Sequence, residues 1–318
     1  MRWKSDISGG VLAIIIASVL WGTTGTAASF TPSVNPLATG AFAMGVGGVL
    51  LLLNARKSLF AERNILVEKP FILMLGAMSI AIYPLAFYTS MKWSGVAIGT
   101  VVSIATAPFF SMMMERLINK RSITLQWGLS FLLGTVGIVL LVLGKQKNIN
   151  LNNDLTLQYL GVVLGVVAGL TYATYSWAAK QLIEHQVSSK SAMASMFGIA
   201  AVLLLPTLFF TGDNLFSTKI NTSVALYMAV IPMFLGYLLF GFGLRHVQAS
   251  GATLITLLEP VVATVLAILI VGEEFSRVGW LGMLFIALCL FLQAVRLPIK
   301  SKLLIDEHYV PTKEPKSL

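Results

Sequence analysis

Ten long apolar runs, separated only by short polar breaks, constrain this chain more than any other feature of its sequence. They fall near residues 9–29, 36–54, 70–91, 94–114, 124–143, 159–179, 191–210, 222–243, 249–271 and 278–297. A helix that crosses a bilayer needs roughly 20 apolar residues. Inside hydrocarbon every backbone N–H and C=O must be paired within the segment, which a helix achieves on its own. The expected fold is therefore an all-α integral membrane protein with ten transmembrane helices. Charged residues make up 11% of the 318, where a soluble domain carries about 25%. That composition argues against a soluble enzyme, a disordered chain or a nucleic-acid binder. The single cysteine, Cys289, allows no intrachain disulfide and no cysteine-based metal site.

The charges that remain report orientation. Of the 22 Lys and Arg residues, 17 fall in the N-terminal segment, one alternate set of loops and the C-terminal tail. The other set of loops holds 5: Lys92, Lys145, Lys147, Lys219 and Arg277. By the positive-inside rule both termini are cytoplasmic, in a multi-pass protein of the inner (cytoplasmic) membrane. The net charge of +9 is then a topology signal with a secondary attraction to anionic lipid. The basic residues are scattered over six segments rather than gathered in one patch, so no nucleic-acid partner is expected. Met1-Arg2-Trp3-Lys4, an apolar run and Ala27-Ala28-Ser29 have the outline of a signal peptide. The run is long enough to span, however, and has a counterpart in the second half, so it is expected to stay as the first helix.

That counterpart belongs to an internal repeat. At an offset of about 152, Ala97-Ile98-Gly99 falls on Ala249-Ser250-Gly251 and Pro108 on Pro260. Trp127 pairs with Trp280, Gly10 with Gly161 and Trp21 with Tyr172 at offsets within one residue of that value. Each half then holds five helices. An odd number of spans forces the second half to insert upside down relative to the first, the inverted-repeat plan of many secondary transporters.

Three stretches carry a resemblance to a known family. They are Ala13-Ile14-Ile15-Ile16-Ala17-Ser18-Val19-Leu20-Trp21-Gly22; Gly95-Val96-Ala97-Ile98-Gly99-Thr100 with Ala107-Pro108; and Ala249-Ser250-Gly251-Ala252 with Leu258-Glu259-Pro260-Val261 and Gly272-Glu273-Glu274. The chain resembles the drug/metabolite transporter superfamily in its ten-helix EamA-type branch, over about residues 9–297. It departs from the pattern at Lys120-Arg121, where the family often has Gly-Glu. The resemblance implies two five-helix EamA-type repeats, 9–143 and 159–297, followed by a cytoplasmic tail, 298–318. It also implies a central cavity lined by the first, third, fourth, sixth, eighth and ninth helices, with the fifth and tenth peripheral. The implied activity is transport of small metabolites, often amino acids outward.

Candidate site residues follow from polarity inside apolar spans. Glu259 is the acid placed deepest, about ten residues from either end of its helix. A charge there costs on the order of 2.5–3.5 kcal/mol or more and usually faces a cavity or a partner. It is read either as a proton-coupling or ammonium-binding carboxylate or as a structural group beside Pro260. Prolines interrupt the spans at Pro84, Pro108, Pro206, Pro232 and Pro260, and Pro260 frees the carbonyl of Thr256. Thr100, Ser103, Ala107 and Ser111 form a polar stripe on the fourth helix that either lines the cavity or serves helix packing. Trp21, Tyr83, Tyr88, Tyr172, Tyr175 and Tyr237 are aromatic candidates, whereas Trp177 reads as an interfacial residue. Gly161, Gly165 and Gly169 read as a packing ridge.

No histidine lies within a span, and Met112, Met113 and Met114 point in three directions, so no metal and no cofactor is expected. An integral membrane enzyme is disfavoured because no intramembrane pair of carboxylates exists for acid–base work; a lipid scramblase is the other alternative. The expected partners are a small-molecule substrate, protons and the lipid bilayer, with a homodimer left open.

Overall fold

The computed structural model describes residues 2–145, 155–271 and 276–294. The Gly272-Glu273-Glu274 motif and the 298–318 tail lie outside the described residues. No strand occurs among the described residues. The helices group into ten rods: α1 (Ser8–Ser29), α2 (Pro36–Val67), α3 (Pro70–Ser94), α4 (Val96–Leu117), α5 (Leu125–Lys145), α6 (Leu155–Glu184), α7 (Ser189–Thr211), α8 (Lys219–Leu244), α9 (Ala249–Ile270) and α10 (Arg277–Ala294). Among the described residues eight rods are long and apolar enough to cross a membrane. The apolar parts of α5 and α10, Leu125–Leu141 and Arg277–Leu292, are shorter.

Successive rods run in opposite directions. One end of the bundle, where α1, α3, α5, α7 and α9 begin, is called proximal below, and the other distal. The outer surface is apolar: Leu12, Leu53, Phe71, Leu132, Val202, Leu269 and Phe291 are all exposed. A soluble protein rarely shows such a continuous apolar coat, whereas a bilayer requires it. Lipid offers no hydrophobic gain for bringing helices together, so close backbone approach between small residues has to hold the bundle. The buried interior is accordingly rich in Ala, Gly and Ser.

The main packing pairs are α3 on α6, α5 on α10, α2 on α7, α4 on α6, α1 on α8 and α9, α3 on α7, and α2 on α8. Each joins the first half of the chain to the second. The Gly161, Gly165, Gly169 ridge of α6 does what its spacing predicts. A methyl group on Gly165 would lie 2.9 Å from the Ser90 hydroxyl, and one on Gly169 2.7 Å from the Ser103 carbonyl. That closeness lets Ser90 donate to the Gly161 carbonyl at 2.7 Å.

The α5–α10 pair relies on the same device. A Cβ on Gly137 would stand 2.9 Å from both the Gly282 carbonyl and the Ile286 amide. Rigid backbone cannot give way there, so Gly137→Leu is expected to destabilise the protein by about 1–3 kcal/mol. The thermal midpoint of detergent-solubilised protein checks this; an unchanged midpoint would refute the close α5–α10 contact.

Candidate functional site

Two proline-linked irregularities shape the centre of the bundle. In α8 the helix widens into a π-helical stretch over Ala229–Leu235, with Pro232 inside it. Such turns arise where a proline removes a backbone donor, and they recur at functional sites. The Pro232 carbonyl accepts a 2.9 Å bond from Trp21 Nε1. The indole rests on Gly236, where a Cβ would come within 2.7 Å of that nitrogen. In α9 the helix stops at Ile255 and restarts at Leu258. Glu259 and Pro260 thus sit in the first turn of the second segment, a position that tolerates a residue without an N–H. The carbonyl of Thr256 is not left free as the sequence suggests, because the Glu259 amide donates to it at 3.0 Å. It is the Thr256 hydroxyl that reaches outward, receiving the Tyr172 hydroxyl at 2.9 Å and donating to the Thr253 carbonyl at 2.8 Å.

Between these two irregularities lies a cavity of about 60 Å³. Its wall comes from α1 (Trp21, Thr24), α2 (Gly40, Ala43, Met44), α3 (Tyr83, Pro84, Phe87, Tyr88), α6 (Tyr172, Tyr175), α8 (Met228, Met233, Tyr237) and α9 (Glu259). The aromatic rings form a continuous lining. Trp21 and Tyr237 lie 4.8 Å apart between centroids, Tyr172 and Tyr175 5.2 Å, Tyr83 and Tyr172 5.8 Å, and Tyr83 and Phe87 5.6 Å. The Tyr175 and Tyr237 hydroxyls meet at 3.1 Å. Glu259 is the single charged residue of the wall. Among the described residues no hydrogen bond or ion pair reaches its carboxylate.

Of the sequence-predicted residues, Trp21, Tyr83, Tyr88, Tyr172, Tyr175, Tyr237 and Glu259 are brought together in this wall, with Pro260 beside Glu259 and Thr256 bonded to Tyr172. Thr100, Ser103, Ser111 and Pro108 lie on α4, which contributes nothing to the wall. Ser103 returns its hydroxyl to the Gly99 carbonyl at 2.7 Å, and Ser111 is buried without a partner among the described residues. α2, not expected in the wall, contributes Gly40, Ala43 and Met44.

Proximal to the cavity, the ends of α4, α6, α8 and α9 are tied by polar contacts that the sequence does not announce. Glu115, buried at the end of α4, accepts from the Ser250 amide at 3.1 Å and the Ser250 hydroxyl at 2.6 Å. An acid at a helix start is favoured by the backbone dipole, and Ser250 lies in the first turn of α9. Lys180 of α6, also buried, donates to the Leu244 carbonyl of α8 at 2.7 Å and stands 3.9 Å from Glu184, which pairs with Arg121 at 2.9 Å. Trp177 is not an interfacial residue: it is buried, and its Nε1 donates to Asn119 at 2.8 Å. A larger hollow of about 620 Å³ lies at this same end, lined by Glu62, Ser188, Lys190, Phe242, Arg245 and neighbours. It shares no wall residue with the aromatic cavity.

Residues 8–143, and again 159–294, match the family model described as the EamA-like transporter family. The chain is similar to the uncharacterized transporter YwfM of Bacillus subtilis (strain 168), 32% identical over 275 residues covering 85% of this chain and 88% of that protein. It is also similar to an uncharacterized transporter of Clostridium kluyveri, at 26% identity over 87% of this chain and 90% of that one. A third relative is the uncharacterized inner membrane transporter YicL of Salmonella typhimurium, at 21% identity over 87% and 92%. A solved crystal structure superposes with a TM-score of 0.74 over 90% of this chain and 96% of that one, at 16% identity, and so shares the fold.

Proposed function

The chain belongs to the EamA-like transporter family, and from that premise we propose a secondary transporter that moves small metabolites, amino acids or related solutes, across the cytoplasmic membrane by alternating access, as an exporter. The observation that carries the reading is the unpaired Glu259 carboxylate, set in an aromatic cavity walled by helices of both halves. A carboxylate this deep in an apolar bundle is costly and is retained where it meets a solute or a proton.

The packing pairs support ten spans arranged as two inverted five-helix repeats. Adding five to the helix numbers turns α3 on α6 into α8 on α1, α4 on α6 into α9 on α1, and α2 on α8 into α7 on α3. The pairs α2 on α7 and α5 on α10 map onto themselves. A pseudo-two-fold relation produces that exchange, and the repeat-equivalent Trp21 and Tyr172 both face the cavity. The shorter α5 and α10 cross as a peripheral pair. In this reading the proximal end is cytoplasmic, as the Lys and Arg bias requires. The Glu115–Ser250 and Lys180–Leu244 contacts then close the cavity to the cytoplasm. A volume near 60 Å³ is well below the roughly 150 Å³ of a cavity that admits benzene. A solute enters only when the helices part, which alternating access supplies.

Purified protein in proteoliposomes should exchange members of a labelled amino acid and amine panel above the rate of protein-free vesicles, faster with an imposed pH gradient. Flux equal to protein-free vesicles across the panel would refute the reading. A reporter active only in the cytoplasm should be active when fused after Leu318. Activity of a periplasm-dependent reporter there would overturn the cytoplasmic C-terminus, and together with a cytoplasmic N-terminus it would imply an odd number of spans and remove the 5+5 arrangement.

A further inference from the structure

We propose that the hollow at the proximal end, beside α7 and α8, holds one phospholipid of the adjoining leaflet whose headgroup carries a phosphodiester and a primary ammonium, an ethanolamine phospholipid. The hollow shares no wall residue with the aromatic cavity, so the proposal does not depend on what that cavity carries.

The outward face of α8 leads into the hollow. Leu235, Leu238 and Phe242 of α8, with Arg245 that caps it, fall within about 80° of one another at about 100° per residue and form one stripe. The glycines flanking that stripe mark the neighbouring helices: Gly241 rests against Met193 of α7 and Gly243 against Ile14 of α1. The stripe lies between these two contacts, and Leu235, Phe242 and Arg245 are exposed. In a bilayer that face meets lipid. It is apolar toward mid-helix and ends at the proximal side in a guanidinium, whose carbon lies 5.7 Å over the Phe242 ring. An acyl chain followed by a phosphate presents the matching chemistry in the same order.

Beside Arg245 the hollow is lined by Lys190 from the first turn of α7 and by Glu62 from α2. Its volume of about 620 Å³ lies within the roughly 300–1,000 Å³ of ligand pockets. A cation in the first turn of a helix faces the positive end of the backbone dipole and is disfavoured there. Among the described residues neither Lys190 nor Arg245 has an ion pair. A phosphodiester in the hollow compensates both cations, as basic pockets between membrane helices do for lipid headgroups. The start of α7 is not itself the anion site. The Ser188 amide is given to Glu62 Oε2 at 2.9 Å, and the Ser188 hydroxyl accepts from the Ser191 amide at 3.3 Å. Glu62 Oε1 has no hydrogen bond among the described residues, so the one carboxylate of the hollow keeps an oxygen for a further donor. Two cations and one carboxylate match a phosphodiester followed by an ammonium. A choline headgroup brings no N–H to Glu62, and a glycerol headgroup brings no positive charge.

Native mass spectrometry of the purified full-length protein, stripped of lipid and titrated with dioleoyl phosphatidylethanolamine, phosphatidylcholine or phosphatidylglycerol, tests this. One ethanolamine lipid should be retained about fivefold or more tightly than either of the others, the effect of one additional hydrogen bond to a charged group. Lys190→Gln combined with Arg245→Gln should weaken its retention by at least about tenfold, as expected for two basic groups at a membrane surface. Glu62→Gln keeps an acceptor for the Ser188 amide and should abolish the preference for ethanolamine over glycerol. Lipid coats the whole apolar surface, so the losses caused by these variants locate the site. Glycerophosphoethanolamine, the headgroup without its chains, should bind at least about tenfold more weakly, for want of apolar contact with the α8 stripe. Equal binding of that chainless compound would make this a site for a soluble phosphate ester. Equal retention of the three lipids, or tighter retention of the choline or glycerol lipid, would remove the ethanolamine assignment. Undiminished retention by the double variant would place the lipid elsewhere, and an unchanged preference in Glu62→Gln would take the ammonium away from Glu62. Each of these outcomes overturns the proposal. Chromatographic elution reports folding of the variants. Should they not be recovered folded, the ranking of the three lipids and the chainless headgroup on the unaltered protein decides by itself.

Discussion

Glu259→Gln is expected to leave the bundle folded and to abolish proton-driven flux, by on the order of 100-fold or more, while slow solute exchange persists. The carboxylate takes no hydrogen bond from any described residue, so an amide of the same shape breaks none. What the substitution removes is the ability to change charge, and no other residue of the wall has a carboxylate to substitute for it. A coupled exporter needs one group that holds a proton in one half of the cycle and the solute in the other. Flux should be followed in proteoliposomes under an inward proton gradient, with chromatographic elution and thermal midpoint as measures of folding. Unchanged coupled flux would remove Glu259 from the coupling role. Loss of folded protein would mean that the carboxyl group holds the α9 break beside Pro260.

The second large effect concerns the proximal seal. If the cycle opens this end, Glu115 and Ser250 must part, since two short hydrogen bonds join the α4 end to the α9 start. Cysteines at positions 115 and 250, in a Cys289→Ser background, are expected to be joined by a short bifunctional thiosulfonate reagent. Joining them should lower flux to that of protein-free vesicles, with recovery on reduction. Each single-cysteine protein treated the same way should retain flux. Continued flux through the tethered double variant would show that α4 and α9 do not separate at this end.

The membrane-spanning character of the fold was legible because hydrocarbon imposes a simple rule on length and polarity, and the rods follow the apolar runs closely. The aromatic and acidic half of the wall was legible for the same reason: Trp21, Tyr83, Tyr172, Tyr237 and Glu259 are conspicuous inside apolar spans. The α2 side of the wall was not, since Gly40, Ala43 and Met44 carry no chemical mark that separates lining from packing. The α4 stripe leaves two readings open in the sequence because a serine in a helix can satisfy its hydroxyl on its own backbone, as Ser103 does on Gly99. Glu115, Lys180 and Trp177 sit near the ends of apolar runs, where a charge or an indole ordinarily meets water or headgroups. Their burial depends on which helix ends converge, and local sequence holds no record of that.

The predominance of packing between the two halves bears on how the chain is made. Synthesis delivers α1–α5 to the membrane before α6–α10 exist. During that interval α3 lacks α6, α2 lacks α7 and α5 lacks α10, so the glycine-lined surfaces that later touch backbone face lipid or whatever insertion factor shields them. Assembly is therefore paced by translation of the second half. A ribosome that stalls after α5 leaves behind a five-helix fragment with no stable partner, a natural substrate for membrane proteolysis.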